Sequence, residues 1–224
     1  MSALQVTSIV EDPELVQRRR KEIVAAATEL FSKQGFYRTT IKEIAALAGI
    51  SSGLVYQYVR EKDDVLLLVI LEVVEAYARE IPSALVGVED PIDRLLATIG
   101  AYCRVVDKRR AATVLAYRST KSLSPDRRRL IQARELETNQ LIAGAIADCI
   151  KSRLLRKINV DVLTYQIVLI AHGWALKSWY LRSRLSIDQY IRDNLDILLG
   201  GILTRSGQKR YGTRRSRRKM PAHW

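Results

Sequence analysis

Between Thr39 and Lys62 the chain sets small polar side chains, one amide and two phenols at helical spacing. That combination suits contact with a nucleic acid. Ser52, Gly53, Leu54, Gln57 and Tyr58 are left on the outside of a short helix whose inner side carries Val55 and Val59. Gln57 could hydrogen-bond a base edge, and Leu54 could touch a thymine methyl group. Small residues at the helix start let the backbone come near the bases. Tyr56, Tyr58 and Lys62 suit phosphate oxygens, which fix register without reading sequence. Thr40 stands at a helix N-terminus, where free N–H groups and the helix dipole favour a phosphate. Thr39, Lys42 and Ser51 complete the candidate contact set.

These residues need two helices to hold them. Thr40 and Glu43 match a capping box, with the threonine hydroxyl accepting from the Glu43 N–H and the carboxylate reaching back. Ile41, Ile44, Ala45 and Ala48 then repeat at helical spacing and form one apolar stripe. Gly49 follows where a helix end calls for a left-handed residue. Ile50 plugs the turn, and Ser51 is a good N-cap for the next helix. The layout is a helix-turn-helix, whose second helix enters the DNA major groove. A plain helical hairpin inside a larger bundle is the competing reading.

The order of the whole segment resembles the DNA-binding domain of the tetracycline-repressor (TetR) family of bacterial transcription regulators. The resemblance runs from Arg19 to Leu67. It is carried by Lys21 to Phe31, Gly35-Phe36, Thr39-Thr40, Ile44-Ala45, Ala48 to Ser51, Gly53, Val55-Tyr56, Tyr58 and Lys62. Val59 stands where the family usually has Phe, and Val65 where Leu is commoner. The resemblance implies that Thr40, Tyr58 and Lys62 contact phosphates and that Ser52, Gly53, Leu54 and Gln57 face the bases. It also implies a repressor, released from a palindromic operator by a small-molecule effector.

The chain has 224 residues, enough for a small DNA-binding domain and one larger domain. Five Pro and eleven Gly leave room for long helices, and no run of alternating β-branched residues reads as a strand. An all-α fold follows independently of the resemblance. The expected helices are 13–34, 41–48, 52–58, 62–81, 91–106, 109–120, 125–155, 160–184 and 187–203. Asp12-Pro13, Asp90-Pro91, Ser124-Pro125, Asn159 and the Ser186/Gln189 pair mark their starts. The expected organisation is a flexible arm over 1–12, the helix-turn-helix domain over 13–61 and an effector and dimerisation domain over 62–204. A disordered basic tail over 205–224 completes it.

The net charge of +13 is a footprint common in nucleic-acid binders. Eight Lys or Arg and no acid lie between Arg205 and Trp224, so more than half of that excess belongs to the tail. The tail reads as a solvated end or as extra sequence-independent affinity for DNA. Lys108 to Arg110 and Arg118, Lys121 and Arg127 to Arg129 form a second basic cluster, read as an ordinary surface or as a positive field toward DNA.

Residues 160–184 and 187–203 are apolar over more than one face, as a buried or interface helix must be. In the family these two helices build a homodimer, which would present two recognition helices about one helical turn of DNA apart. The resemblance further implies a small-molecule pocket, for which Tyr77, Tyr102, Cys103, Tyr117, Asn139, His172 and Trp174 are candidates. Side chains of this kind on apolar helices are more often satisfied core or interface groups than ligand contacts. Apolar lining beside Lys108–Arg110 suits an amphipathic anion such as a fatty acid or an acyl-coenzyme A.

Only two His occur, His172 and His223, and no Gly-rich phosphate loop, nucleophile elbow or H-E-x-x-H motif is present. The expectation is therefore no enzyme, no catalytic residue, no metal and no cofactor. Cys103 and Cys149 read as small buried hydrophobes. The N-terminus lacks a signal-peptide pattern and no apolar run spans a bilayer, so a cytoplasmic protein is expected. Two rivals remain: a basic adaptor for membranes or RNA driven by the tail, and a DNA-binding dimer without a ligand.

Overall fold

The computed structural model describes residues 6–218, with side chains up to Thr213. Met1 to Gln5 of the arm, and Lys219 and His223 of the tail, lie outside the described residues. Eleven helices are present among the described residues: α1 (Pro13–Gln34), α2 (Ile41–Leu47), α3 (Ser52–Tyr58), α4 (Lys62–Ser83), α5 (Pro91–Lys108), α6 (Arg110–Ser119), α7 (Pro125–Lys151), α8 (Val160–Leu176), α9 (Ser178–Leu181), α10 (Ile187–Gly200) and α11 (Arg205–Arg218). The one strand-like feature among these residues is an isolated antiparallel bridge between Leu155 and Leu203. The fold is all-α.

Residues up to Ala76 and Arg109–Glu135 form one compact unit; Tyr77–Lys108 and the chain from Leu136 form a second. The chain passes between these units within α4, between α5 and α6, and within α7. In the first unit, Asp12 accepts from the N–H groups of Glu14 and Leu15, and Pro13 opens α1. Ile23, Val24, Ala26, Ala27 and Phe31 bury one side of α1, and Phe31 meets Phe36 edge to face. Both α2 and α6 pack on α1, which is why α6 belongs with the first unit.

In the second unit α5 and α8 form the central pair, and α10 and α11 also pack on α5. Asp90 caps α5 through the N–H groups of Ile92 and Asp93, and Asn159 and Ser186 cap α8 and α10. Three expectations need correction. The helix expected over 160–184 breaks at Lys177, whose backbone (φ −111°, ψ 21°) leaves the helical region. The helix expected over 125–155 stops at Lys151, because Arg153 takes a positive φ and Leu155 bridges Leu203. The stretch expected to be disordered from Arg205 is helical to Arg218. Thr204 accepts from the Gly207 N–H and itself donates to the carbonyls of Arg153 and Leu154, which anchors the start of that helix.

Candidate nucleic-acid interface

The α2–α3 hairpin is built as its sequence dictates. The Thr40 hydroxyl accepts from the Glu43 N–H, and the Glu43 carboxylate accepts from the Thr40 N–H at 2.7 Å. Gly49 takes φ +70°, a region that other residues reach at a cost, and so turns the chain toward α3. The Ser51 hydroxyl accepts from the Leu54 N–H and starts α3. Val55, Tyr58 and Val59 are buried. Gly53, Tyr56 and Gln57 are exposed, and Ser52 and Leu54 are half-buried.

Gly53 has no structural need to be glycine. Its φ is ordinary for a helix, and an added Cβ would meet only the Ser51 hydroxyl, 4.0 Å away. Glycine within a helix costs about 1 kcal/mol relative to alanine. A helix that keeps it on an open face leaves room for another surface to approach the backbone.

Several of the expected DNA contacts are bonded or buried within this unit. Thr39 is fully buried, and its hydroxyl donates to the Gly35 carbonyl at 2.9 Å. Tyr58 is only 2% exposed. The Lys62 ammonium donates to the carbonyls of Phe36, Tyr37 and Thr39 at 2.9, 3.3 and 2.8 Å and lies over the Phe36 ring. Its three hydrogens are thereby directed to the loop that enters α2. The Thr40 hydroxyl donates to Glu43, so the anion position at the start of α2 already holds a carboxylate. Those bonds hold the Glu43 pKa below the usual carboxylate value. Lys42, Tyr56 and Gln57 remain open to solvent.

Sequence reasoning missed the clamp at the far end of α3. The Ile9 N–H and the Ser8 hydroxyl both donate to the Gln57 carbonyl, at 2.8 and 2.9 Å. The Arg20 guanidinium donates twice to the Tyr58 carbonyl and once to that of Val6. Burial lowers the Arg20 pKa, and the Asp64 carboxylate works against that shift. Carbonyls in the last turn of a helix have no partner within it. Here the arm and α1 supply those partners, so residues 6–9 are part of the frame and not a loose arm. An arginine at a helical position facing a short arm was the available signal.

A second unforeseen cluster lies at the start of α4. Arg127, near the start of α7, is buried against Asp64 and also bridges Glu61 at 2.8 Å and Asp63 at 3.7 Å. Asp64 in turn accepts from the Arg60 N–H at 2.9 Å. The expected positive field over Arg127–Arg129 is therefore not free: Arg127 is neutralised, and Arg129 pairs with Asp126.

The effector candidates separate. Tyr77, Tyr102, Cys103, Asn139, His172 and Trp174 belong to the second unit, whereas Tyr117 sits half exposed in the first. The rings of Tyr77 and Tyr102 stack with centroids 4.2 Å apart. Both hydroxyls reach Nε2 of His172, at 3.4 and 3.2 Å. Burial lowers the His172 pKa to about 4, so the ring is neutral. Trp174 donates to Asp107 at 2.8 Å, and Lys108 pairs with Glu80. Neither amide atom of the buried Asn139 has a hydrogen-bond partner. Burial pushes both thiols up to about 12, Cys149 helped by nearby carboxylates. Among the described residues no cluster of His, Cys, Asp and Glu fits a metal ion. No described helix is long and apolar enough to cross a membrane.

A short helix with an open polar face, held at both ends within one helical unit and accompanied by a second helical unit, defines a helix-turn-helix regulator. Comparison with known proteins agrees. Residues 23–69 match the domain described as bacterial regulatory proteins, tetR family. Residues 88–202 match the tetracyclin repressor-like C-terminal domain. The chain is 48% identical over 207 residues to the HTH-type transcriptional regulator HbdR of Aromatoleum sp. (strain CIB), covering 92% of this chain and 90% of that protein. It is 25% identical over 202 residues to the HTH-type transcriptional repressor KstR2 of Mycolicibacterium smegmatis, covering 89% and 98%. Its fold resembles that of AibR, solved with isovaleryl coenzyme A and operator DNA, with a TM-score of 0.69 and 18% identity over 80% of this chain and 97% of that one. The chain belongs to the TetR family. It is a DNA-binding transcriptional regulator, not an enzyme.

Proposed function

We propose that this regulator is a homodimeric repressor that inserts α3 into the major groove of each half of a palindromic operator and leaves it when a small-molecule effector binds. The observation that carries the reading is the open face of α3, where Gly53 stays glycine without a packing reason beside exposed Tyr56 and Gln57. Ser52, Gly53, Leu54 and Gln57 face the bases, while Lys42 and Tyr56 touch phosphates. Tyr58, Thr39 and Lys62 position that face from beneath.

A second copy covers the apolar residues left on α8 and α10. Val162, Tyr165, Leu169 and Leu176 are exposed along α8, and Ile197 is 79% exposed on α10. Patches of that kind mark interaction surfaces.

The effector reading is an acyl-coenzyme A thioester. AibR, a neighbour in fold, was solved with such a compound. The neutral Tyr77–Tyr102–His172 group and the unpartnered Asn139 amide offer hydrogen bonds without net charge to an acyl group. Release follows only if the effector prefers the form that does not fit the operator, and a coupling of about 1–3 kcal/mol weakens DNA binding about 5–150-fold.

Selection of genomic fragments by the purified protein tests the DNA reading. Enrichment of a palindrome by a dimeric protein supports it, and a monomer that enriches nothing ends it. Adding isovaleryl-coenzyme A, free fatty acid, coenzyme A or a cationic drug to the operator complex tests the effector class. Release by the cationic drug alone refutes the thioester.

A further inference from the structure

The C-terminal helix α11 is an unusual thing for a fold to keep. From Arg205 to Lys219 the chain has six Arg and two Lys and no acid. Such a segment repels itself, and its two glycines weaken any helix it forms. Left alone it has no reason to be ordered, because nothing in it buries a core.

The fold supplies the order from outside. Gly207 is buried so closely against the chain that an added Cβ would stand 2.1 Å from the Leu154 carbonyl oxygen and 2.8 Å from a Leu203 methyl. The Thr204 N–H donates to the Leu154 carbonyl, and the Arg156 N–H to that of Ile202. The Tyr211 hydroxyl donates to Asp196 at 2.7 Å, and Arg210 pairs with Asp90, the residue that caps α5. Leu203, Gly207 and Tyr211 thus form the docked side. Arg205, Lys209, Gly212 and Thr213 are exposed on the other.

We propose that α11 is a second DNA-binding surface, a docked cationic helix that holds duplex phosphates without reading sequence. This goes beyond the operator reading and does not rest on it. A docked helix presents its cations without the ordering cost that a loose tail incurs on binding. Arginine dominates, and its planar fork fits phosphate oxygens in pairs. A lipid surface fits less well: a helix lying on a membrane needs an apolar face to insert, and the only large apolar ring described on α11, that of Tyr211, is half-buried and bonded to Asp196.

The test uses the full chain on a random-sequence duplex, with binding measured over a range of salt. Neutralising two phosphate contacts by Arg205→Gln with Lys209→Gln should lower the slope of log affinity against log salt by about two. Gly207→Val keeps every charge but cannot dock, and it should lower the slope as well, with the thermal transition of the rest of the chain retained. Gly53→Glu, on the recognition helix, should abolish preference for the operator, and adding the Arg205/Lys209 double substitution to it should lower the random-duplex slope further. An unchanged slope in the double variant overturns the proposal. So does a loss confined to single-stranded RNA or to phosphatidylserine vesicles. A Gly207→Val protein with the wild-type slope removes docking from the argument and overturns it as stated.

Discussion

The Arg127 guanidinium closes on the carboxylate of Asp64, a side chain only 1% exposed and 63 positions earlier in the chain. Asp64 also receives the Arg60 N–H, so this ion pair holds the link between the recognition helix and α4. Glu61 and Asp63 complete a cage of three carboxylates around one arginine. Breaking a buried pair from one side strands a charge and costs about 3–5 kcal/mol. Arg127→Met should therefore lower stability by about that amount in urea unfolding. Adding Asp64→Leu should recover much of the loss. If Arg127→Met instead leaves stability intact and lowers the salt slope of operator binding, the arginine touches DNA and does not position the junction.

Gly53 gives a prediction of opposite signs. Gly53→Ala removes the helix cost of glycine, about 1 kcal/mol, and meets no clash. Thermal stability should hold or rise. Operator affinity should fall at least tenfold as the new methyl group opens a gap at the bases, about 1.4 kcal/mol or more. Undiminished binding would mean that α3 does not approach DNA at this point.

The arm makes a similar split. Ile9→Pro deletes the N–H that donates to Gln57, and Arg20→Met deletes the donors to Tyr58 and Val6. Each should weaken operator binding more than it weakens folding, because the lost bonds fix the far end of α3. Each lost hydrogen bond is worth about 0.5–1.5 kcal/mol. Gel-shift titration beside thermal melts separates the two effects. Equal losses in both would make the arm a matter of stability alone.

The buried imidazole predicts a pH profile. The unfolded chain protonates His172 near pH 6.5, while the folded chain resists until about pH 4. The unfolded state thus binds more protons in that window, and stability rises with pH across it. The contribution is complete above pH 6.5 and is lost as pH falls through 4. At about 1.4 kcal/mol per pH unit the loss is about 3 kcal/mol. Urea unfolding between pH 7 and 4 should show it, and His172→Gln should flatten that part of the curve. Identical profiles for the two proteins would contradict it.

Local chemistry was readable from the residues alone. Asp12, Thr40, Ser51, Asn159 and Ser186 each cap the helix they were expected to start, and Gly49 makes the expected turn. What stayed hidden depends on partners distant in sequence. Lys62 was open to a phosphate reading until the loop carbonyls 23 to 26 positions earlier took up its ammonium. Arg127 read as a surface charge because nothing local says that three carboxylates await it. The order of α11 was illegible for the same reason: its anchor is a glycine, a residue that normally argues against a helix. Tyr58 read as outward-facing and Val59 as inward, yet both are buried, because the chain leaves the helix at Val59 and α1 packs on α3.

Cys103 is buried on α5, and Cys149 donates to the Pro91 carbonyl at 3.1 Å. The nucleophile in thiol chemistry is the thiolate, and neither site admits it at neutral pH. Peroxide, nitric oxide donors and alkylating reagents therefore find no ready target on either side chain while the chain stays folded. Whatever signal this regulator answers, these two buried thiols are poorly placed to receive it as an oxidant.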